Sequence, residues 1–163
     1  MVDVTAYMGD ARSFFEAARS AAQDIRHLER AVRRMESAEG IHGARVAPSG
    51  AGRGDAMAAT DARIDYEERI ARRLDDDYAL IDACSAVVYG RDQMGAGGLC
   101  ALMGGKAADA CWWRWGAAET WTGVSDMVGM SERWCRQACD RACDTVDALG
   151  FAAVLDGRGI AEG

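Results

Sequence analysis

The chain has 163 residues, half of them hydrophobic, with 28% charged residues and a formal net charge of −7. This length is sufficient for one domain or two small ones with a substantial core, and the composition excludes a collagen, a disordered tail protein and a disulfide-rich miniprotein. Alanine is abundant, β-branched residues are sparse and Pro48 is the single proline. We therefore expect an all-α fold.

Charge and apolar patterning limit the partners and the location of the chain. No run of eighteen apolar residues occurs, so no membrane-spanning segment is predicted. Residues 1–10 contain no basic, apolar signal sequence, and we expect a cytoplasmic protein whose six cysteines are buried free thiols. The acidic balance argues against a protein that coats nucleic acid indiscriminately, but it leaves room for one small DNA-contacting surface.

A first long helix is predicted to begin at the capping residue Asp10 and to run to about residue 38. Its apolar residues are spaced alternately four and three apart: Phe14, Ala18, Ala21, Ile25, Leu28, Val32 and Met35. This spacing is a heptad seam sustained over three repeats, and such a narrow seam needs another helix beside it.

A second long helix is predicted after a loop at residues 40–55, which contains five glycines and the only proline. This helix begins near Ala56 or Thr60 and continues to Tyr89, where Gly90 is a stop signal. Two long helices joined by a loop predict an antiparallel hairpin. Because the hairpin is long for so small a chain, we expect it to bury its seam against another copy, as a homo-oligomer and in the simplest case a dimer.

The glycine-rich segment 95–98 marks the natural domain boundary, since glycine disfavours helix. Three shorter helices are predicted beyond it, at about residues 105–117, 120–128 and 131–149. The chain thus divides into a hairpin at residues 1–90, a second helical domain at residues 91–150 and a flexible tail at residues 151–163.

Catalytic and metal-binding signatures are missing from the sequence. The glycines before Lys106 fail as a phosphate loop, because no strand precedes them and no serine or threonine follows the lysine. Cys135, Cys139 and Cys143 share one helical stripe, but a zinc site would need a fourth ligand that has no candidate nearby. We predict that these thiols pack in the core as small apolar groups, and we expect no enzyme activity, cofactor or metal.

Residues 121–140 fit the pattern of a helix-turn-helix, in which defined apolar places hold a second helix across a short first one. The apolar places hold Val124, Val128, Met130, Cys135 and Ala138, with the small residue Ser125 and Gly129 at the two special places. Gly129 is suited to the positive φ of the turn, and Ser131 is suited to cap the second helix.

The outward face of this second helix, at residues 131–147, carries arginine and glutamine near its start. Arginine recognises guanine, glutamine recognises adenine, both bind phosphate, and a serine at a helix N-terminus holds phosphate as well. The candidate DNA contacts are Ser131, Glu132, Arg133, Arg136, Gln137 and Arg141. The alternative is an ordinary solvated helical face, which the acidic residues Glu132, Asp140, Asp144 and Asp147 favour.

Three short motifs lead up to and through this turn: Arg114-Trp115, Thr120-Trp121 and the sequence VGMS at residues 128–131. With them, the stretch from about residue 107 to 150 resembles region 4 of sigma-70-type factors. It looks closest to small prophage-encoded regulators of the RinA- and ArpU-like type. In that group an Arg-Tyr-like pair precedes a Thr-Trp step, and a Val-Gly-x-Ser turn leads into the recognition helix.

The resemblance implies an all-α chain with a long antiparallel hairpin followed by a sigma-70 region 4-like helix-turn-helix domain. It further implies a regulator of phage transcription in a bacterial host cell, which binds double-stranded promoter DNA through Arg133, Arg136 and Gln137 and contacts RNA polymerase. Two alternatives fit the same pattern. One is a small terminase-like DNA-packaging protein, and the other is a protein-interaction module that contacts RNA polymerase, which the acidic balance favours.

Overall fold

The computed structural model of the chain describes residues 3–4, 9–42 and 53–159. Within these ranges it contains seven α-helices and one π-helical turn: α1 (Ala11–His42), α2 (Arg53–Tyr89), α3 (Gly98–Met103), α4 (Gly105–Cys111), the π-helical turn (Trp112–Gly116), α5 (Trp121–Val128), α6 (Glu132–Leu149) and α7 (Phe151–Leu155). No β-strand occurs in these parts of the chain, which confirms the predicted all-α class. None of these helices is both long enough and apolar enough to cross a bilayer.

α1 starts where the sequence predicts and ends later. The Asp10 carboxylate caps the helix by accepting a hydrogen bond from the Ser13 N–H at 2.7 Å. Hydrogen bonds from Ser13 hold the pKa of Asp10 below its ordinary value, so the cap is charged at neutral pH. The helix then continues to His42, past the end predicted near residue 38, because no proline interrupts it there.

α2 starts earlier than the sequence predicts, at Arg53 instead of Ala56 or Thr60. The alanines that follow are strong helix formers and carry the first turns across a glycine. The predicted loop at residues 40–55 is therefore too long. Its central part, residues 43–52, lies outside the described residues.

α1 and α2 lie side by side and run in opposite directions. Near the middle of the pair, the Arg73 Nε donates to Asp24 Oδ2 at 2.6 Å. Farther out, Met35 near the end of α1 and Arg63 near the start of α2 line the same groove. α2 is thus one neighbour of the heptad seam of α1.

The helices that follow pack onto the start of α1 and the end of α2, partly through aromatic rings. Phe15 of α1 stacks on Trp115 with ring centroids 4.2 Å apart and planes 11° from parallel. Phe14 meets the edge of Phe151 at 5.1 Å. The buried residues form one cluster to which every helix of the described chain contributes, so residues 91–155 share their core with α1 and α2.

The glycine-rich segment is a tight turn between α2 and α3, in which Gly97 and Gly98 are buried. A Cβ on Gly98 would lie 2.5 Å from the Gly90 nitrogen and 2.7 Å from the Val87 oxygen, and the φ of Gly98 is +65°. Glycine is required here because two stretches of backbone touch.

The prediction of a flexible tail at residues 151–163 is wrong for its first part. α7 occupies the start of this segment, and its Phe151, Val154 and Leu155 are buried in the shared core. Burial of these three side chains outweighs the entropy of an ordered terminus. Residues 160–163 lie outside the described residues.

Candidate nucleic-acid interface

The turn between α5 and α6 is held by its backbone and by one serine. Gly129 has a φ of +75°, and its N–H donates to the Ser125 carbonyl at 2.9 Å. The Ser125 hydroxyl donates in turn to the Met130 carbonyl at 2.6 Å. Nothing lies within 4 Å of a Cβ built on Gly129, so the left-handed conformation, not lack of space, is the reason for glycine here.

Ser131 caps the start of α6, as the sequence predicts. Its hydroxyl oxygen accepts a hydrogen bond from the Trp134 N–H at 3.1 Å, and its own side chain is exposed. A second bond ties the two helices together, since the Thr122 hydroxyl donates to Glu132 Oε1 at 2.9 Å. Glu132 is therefore half-buried and engaged within the protein, although we predicted it as a DNA contact.

The inner face of the two helices is apolar and closely packed. Val124, Cys135 and Ala138 are fully buried, as their places in the pattern predict. Val128 and Met130, predicted to be equally internal, are half-buried at the edge of the core. The small side chains of α6 allow it to lie close against α4 and α5.

The cysteines are packing residues. All six are free thiols, and five of them, all except Cys100, are buried. Burial raises the pKa of the Cys84 and Cys143 thiols to about 12, and a hydrogen bond with Cys139 together with burial raises that of Cys111. Thiols in this state are unreactive, and the described residues contain no His, Cys, Asp or Glu group that could hold a metal ion.

The outer face of α6 carries most of the predicted DNA contacts. Five of the six predicted residues are exposed: Ser131, Arg133, Arg136, Gln137 and Arg141. Arg133, Gln137 and Arg141 follow each other at four-residue intervals, so they form one row along the helix. Within the described part of the chain, no side-chain hydrogen bond or ion pair engages any member of this row, and the row is available to an outside ligand.

Arg136, beside that row, is positioned by other side chains. Its guanidinium lies 4.8 Å from the ring centroid of Trp121 and 3.9 Å from the Glu132 carboxylate. The Arg114 guanidinium lies 4.2 Å from the same ring. Cation–π contacts of this kind restrict the side chain before a ligand arrives, and the sequence offered no signal for them beyond the residue types.

Arg114 also anchors this region to α1. Its Nη1 donates to the Glu119 carbonyl at 3.1 Å, while Arg19 of α1 donates to the carbonyls of Arg114 and Glu119 at 2.6 and 2.8 Å. Burial, and next the charge of Arg19, lower the pKa of Arg114. The segment that leads into α5 is thus fixed by two arginines.

Two exposed acidic residues of α6 are bonded to the start of α1. Arg12 of α1 forms a 2.6 Å ion pair with Asp140, and the N–H of Ala11 donates to Asp147 Oδ1 at 2.8 Å. Asp147 thereby satisfies a free amide at the N-terminus of α1, where a negative charge is favourable. Of the four acidic residues that favour an ordinary solvated face, only Asp144 has no hydrogen bond or ion pair in the described part of the chain.

Comparisons with protein-family models, with curated proteins and with solved structures found no match to this chain.

Proposed function

We propose that the chain is a sequence-specific DNA-binding transcriptional regulator of the phage or prophage type. In this proposal α5 and α6 form a helix-turn-helix, and α6 is the helix that enters the major groove. The observation that supports it most is the exposed, unengaged row of Arg133, Gln137 and Arg141 on a helix whose opposite face is buried.

The row has the chemistry and the length that a groove-binding helix needs. Arg133 is suited to guanine and Gln137 to adenine, because each forms paired hydrogen bonds with the base edge. Arg141 lies eight residues beyond Arg133, about 12 Å along the helix, which is comparable to the width of the major groove at about 12 Å. It is therefore suited to a phosphate at the edge of the groove, as Ser131 is at the start of the helix.

The second candidate is a protein-interaction module that contacts RNA polymerase. The net charge of −7 favours it, as do the exposed Asp126 and Asp144 close to the same surface. The contact of Asp140 weakens this alternative, because the Arg12 guanidinium offsets the charge of an acidic group that stays exposed near the row.

A salt titration of DNA binding distinguishes the two functions. Fluorescence anisotropy would follow binding of the full chain to labelled fragments from the neighbourhood of its own gene. The expected result is tight binding to one fragment, weakening with salt. Arg133→Ala should weaken it by about 5- to 150-fold, the equivalent of about 1–3 kcal/mol for a base contact.

The matched control is Arg72→Ala, which removes the same charge from an exposed position on α2. If Arg133 binds a phosphate instead of a base, its loss weakens all fragments alike and lowers the salt dependence by about one charge. Equal affinities of the two variants, or no binding to any fragment at low salt, would refute DNA recognition by α6. A pull-down of RNA polymerase that survives Arg133→Ala would then support the interaction module.

A further inference from the structure

α2 presents a partly exposed apolar row, in which the Tyr78 hydroxyl also donates to Glu29 of α1 at 3.1 Å. From residue 56 to residue 69, every side chain is exposed. Met57, Ile64, Ala71 and Tyr78 follow each other at seven-residue intervals and so lie on one side of the helix. Met57, Ile64 and Tyr78 are 68%, 47% and 46% exposed, and a row of this kind is unusual on a helix that faces only water.

This row borders a groove between α2 and α1. The apolar lining consists of Val32 and Met35 from α1 and of Ile70, Ala71 and Leu74 from α2, and the groove has a volume of about 410 Å³. Two antiparallel helices with an apolar groove between them form the type of surface into which a third, amphipathic helix packs its apolar side chains.

The same side of α1 is already covered closer to its start. Ala18, Ile25 and Val32 lie at seven-residue intervals on that side. Ala18 is fully buried and belongs to the core cluster that the later helices share, whereas Ile25 and Val32 are only half-buried. The apolar side of the helix pair thus extends beyond the helices that cover it, which leaves about two further heptads of each helix without a cover.

Charge indicates what fits on the uncovered part. One edge of it is formed by Asp61, Glu68 and Asp75, again at seven-residue intervals, all exposed. Within the described chain, no hydrogen bond or ion pair engages their carboxylates. Glu36 and Glu67 line the groove itself, where the one basic lining residue, Arg63, forms an ion pair with Glu67 at 3.0 Å. Two copies placed with α2 against α2 would set these acidic edges against each other, so that arrangement of a second copy is unfavourable.

We propose that this surface binds a basic amphipathic helix of a partner protein, with its apolar side chains in the groove and its lysines or arginines along the acidic edge. The contact is independent of α6 and of DNA binding. A helix laid along residues 57–78 would span about 32 Å, which corresponds to six turns of the partner and suits a modest, micromolar affinity.

The probe is a fluorescein-labelled 22-residue peptide, about six helical turns long, with leucine at the i, i+3, i+4 and i+7 positions and lysine elsewhere. Its anisotropy is titrated with the full chain, and two comparison peptides carry glutamate in place of lysine or the same residues in scrambled order. We expect micromolar binding of the basic amphipathic peptide and at least tenfold weaker binding of the other two.

Ile64→Ser should raise the Kd about tenfold, because one buried apolar side chain is lost from the contact. Tyr66→Ser is the matched control. Tyr66 is 44% exposed, close to the value for Ile64, but it projects from the opposite side of α2. Circular dichroism would verify that both variants keep the wild-type helix content.

Three results would overturn the proposal. The first is equal binding of the scrambled and amphipathic peptides, which would indicate attraction by charge alone. The second is an equal loss in Ile64→Ser and Tyr66→Ser. The third is a wild-type dimer, measured by light scattering after gel filtration, that Ile64→Ser dissociates, because the occupant of the groove would then be a second copy of the chain.

Discussion

Removal of the Phe15 ring should destabilise the helices at both ends of the chain together. Phe15 is fully buried, and its ring stacks on Trp115, which is 1% exposed. The stack joins α1 to the π-helical turn, one hundred residues away in the chain. If the shared core is one cooperative unit, Phe15→Ala weakens α5 and α6 as much as it weakens α1 and α2.

The expected loss of stability in Phe15→Ala follows from the burial of the ring. Replacement of a buried phenylalanine by alanine costs about 3–5 kcal/mol, which already includes about 0.5–1.5 kcal/mol for the aromatic pair. For a chain of this size, each kcal/mol lowers Tm by about 2–4 °C. We therefore expect Tm to fall by about 6–20 °C, a large part of the stability of an ordinary domain.

The chain contains a natural pair of probes for this assay. All five tryptophans lie between Trp112 and Trp134, so their fluorescence reports on the helices after α3. The far-ultraviolet circular dichroism is dominated by α1 and α2, with 32 and 37 residues. In both the wild type and Phe15→Ala, the two signals should give the same transition midpoint.

A different outcome would show that the shared core is not a single unit. If the circular dichroism midpoint falls in Phe15→Ala while the tryptophan midpoint stays at its wild-type value, then residues 91–150 fold as a separate domain, as the glycine-rich segment suggests. Glu16→Ala, at the exposed neighbouring position, is the control and should leave both midpoints within about 2 °C.

Two further predictions concern the middle of the helix pair and the α5–α6 turn. Burial, and next the hydrogen bond with Asp24, raise the pKa of Asp77 to about 7, above about 3.9 in an unfolded chain. The folded state therefore retains a proton between these values, and the free energy of unfolding falls as pH rises from about 4 to 7. Urea midpoints at pH 5 and 7.5 should show this fall, and Asp77→Asn should make it smaller; an unchanged fall would refute the assignment. Gly129→Ala should lower Tm by about 2–4 °C, since alanine in the left-handed conformation costs about 1 kcal/mol, and a variant as stable as the wild type would show that the turn does not need glycine.

The sequence predicts the local elements of this fold better than their ends. The heptad seam of α1 and the turn at Gly129 follow from spacing and from glycine, because periodicity and backbone preference are local properties. The end of α1 and the start of α2 do not, since a helix continues for as long as nothing stops it. Gly40 and Gly54 weaken the helix without breaking it.

Two features depend on contacts that are remote in sequence. α7 has Phe151, Val154 and Leu155 at the i, i+3 and i+4 spacing of a buried helix, a signal too short to distinguish from chance. The glycines at 95–98 are equally compatible with a flexible linker and with a close approach of two backbone segments. The contact of Gly98 with the backbone of Gly90 shows that the second reading is correct. Neither the helix α7 nor the role of these glycines can be assigned before the tertiary structure is known.

Once the structure is known, one sequence pattern in α1 can be recognised as a sign of long-range packing. Arg12, Arg19 and Arg26 follow each other at seven-residue intervals, and each donates to a group in the second half of the chain. Arginines on the polar face of an amphipathic helix ordinarily suit solvent or a charged partner. Their regular spacing marks the edge of α1 against which the later helices pack, and carbonyl oxygens are the partners of two of them.

These arginines also change how the acidity of α6 should be weighed. A sum of charges along residues 131–141 counts Asp140 against DNA binding, although the fold brings Arg12 to its carboxylate. The field at the outer face of α6 is therefore more positive than the segment's own charges suggest. For the proposed function, the remaining negative charge of the chain contributes to specificity. It weakens attraction to DNA in general, and the few arginines of α6 then have to supply the affinity through base contacts, which are the contacts that distinguish one site from the rest of a genome.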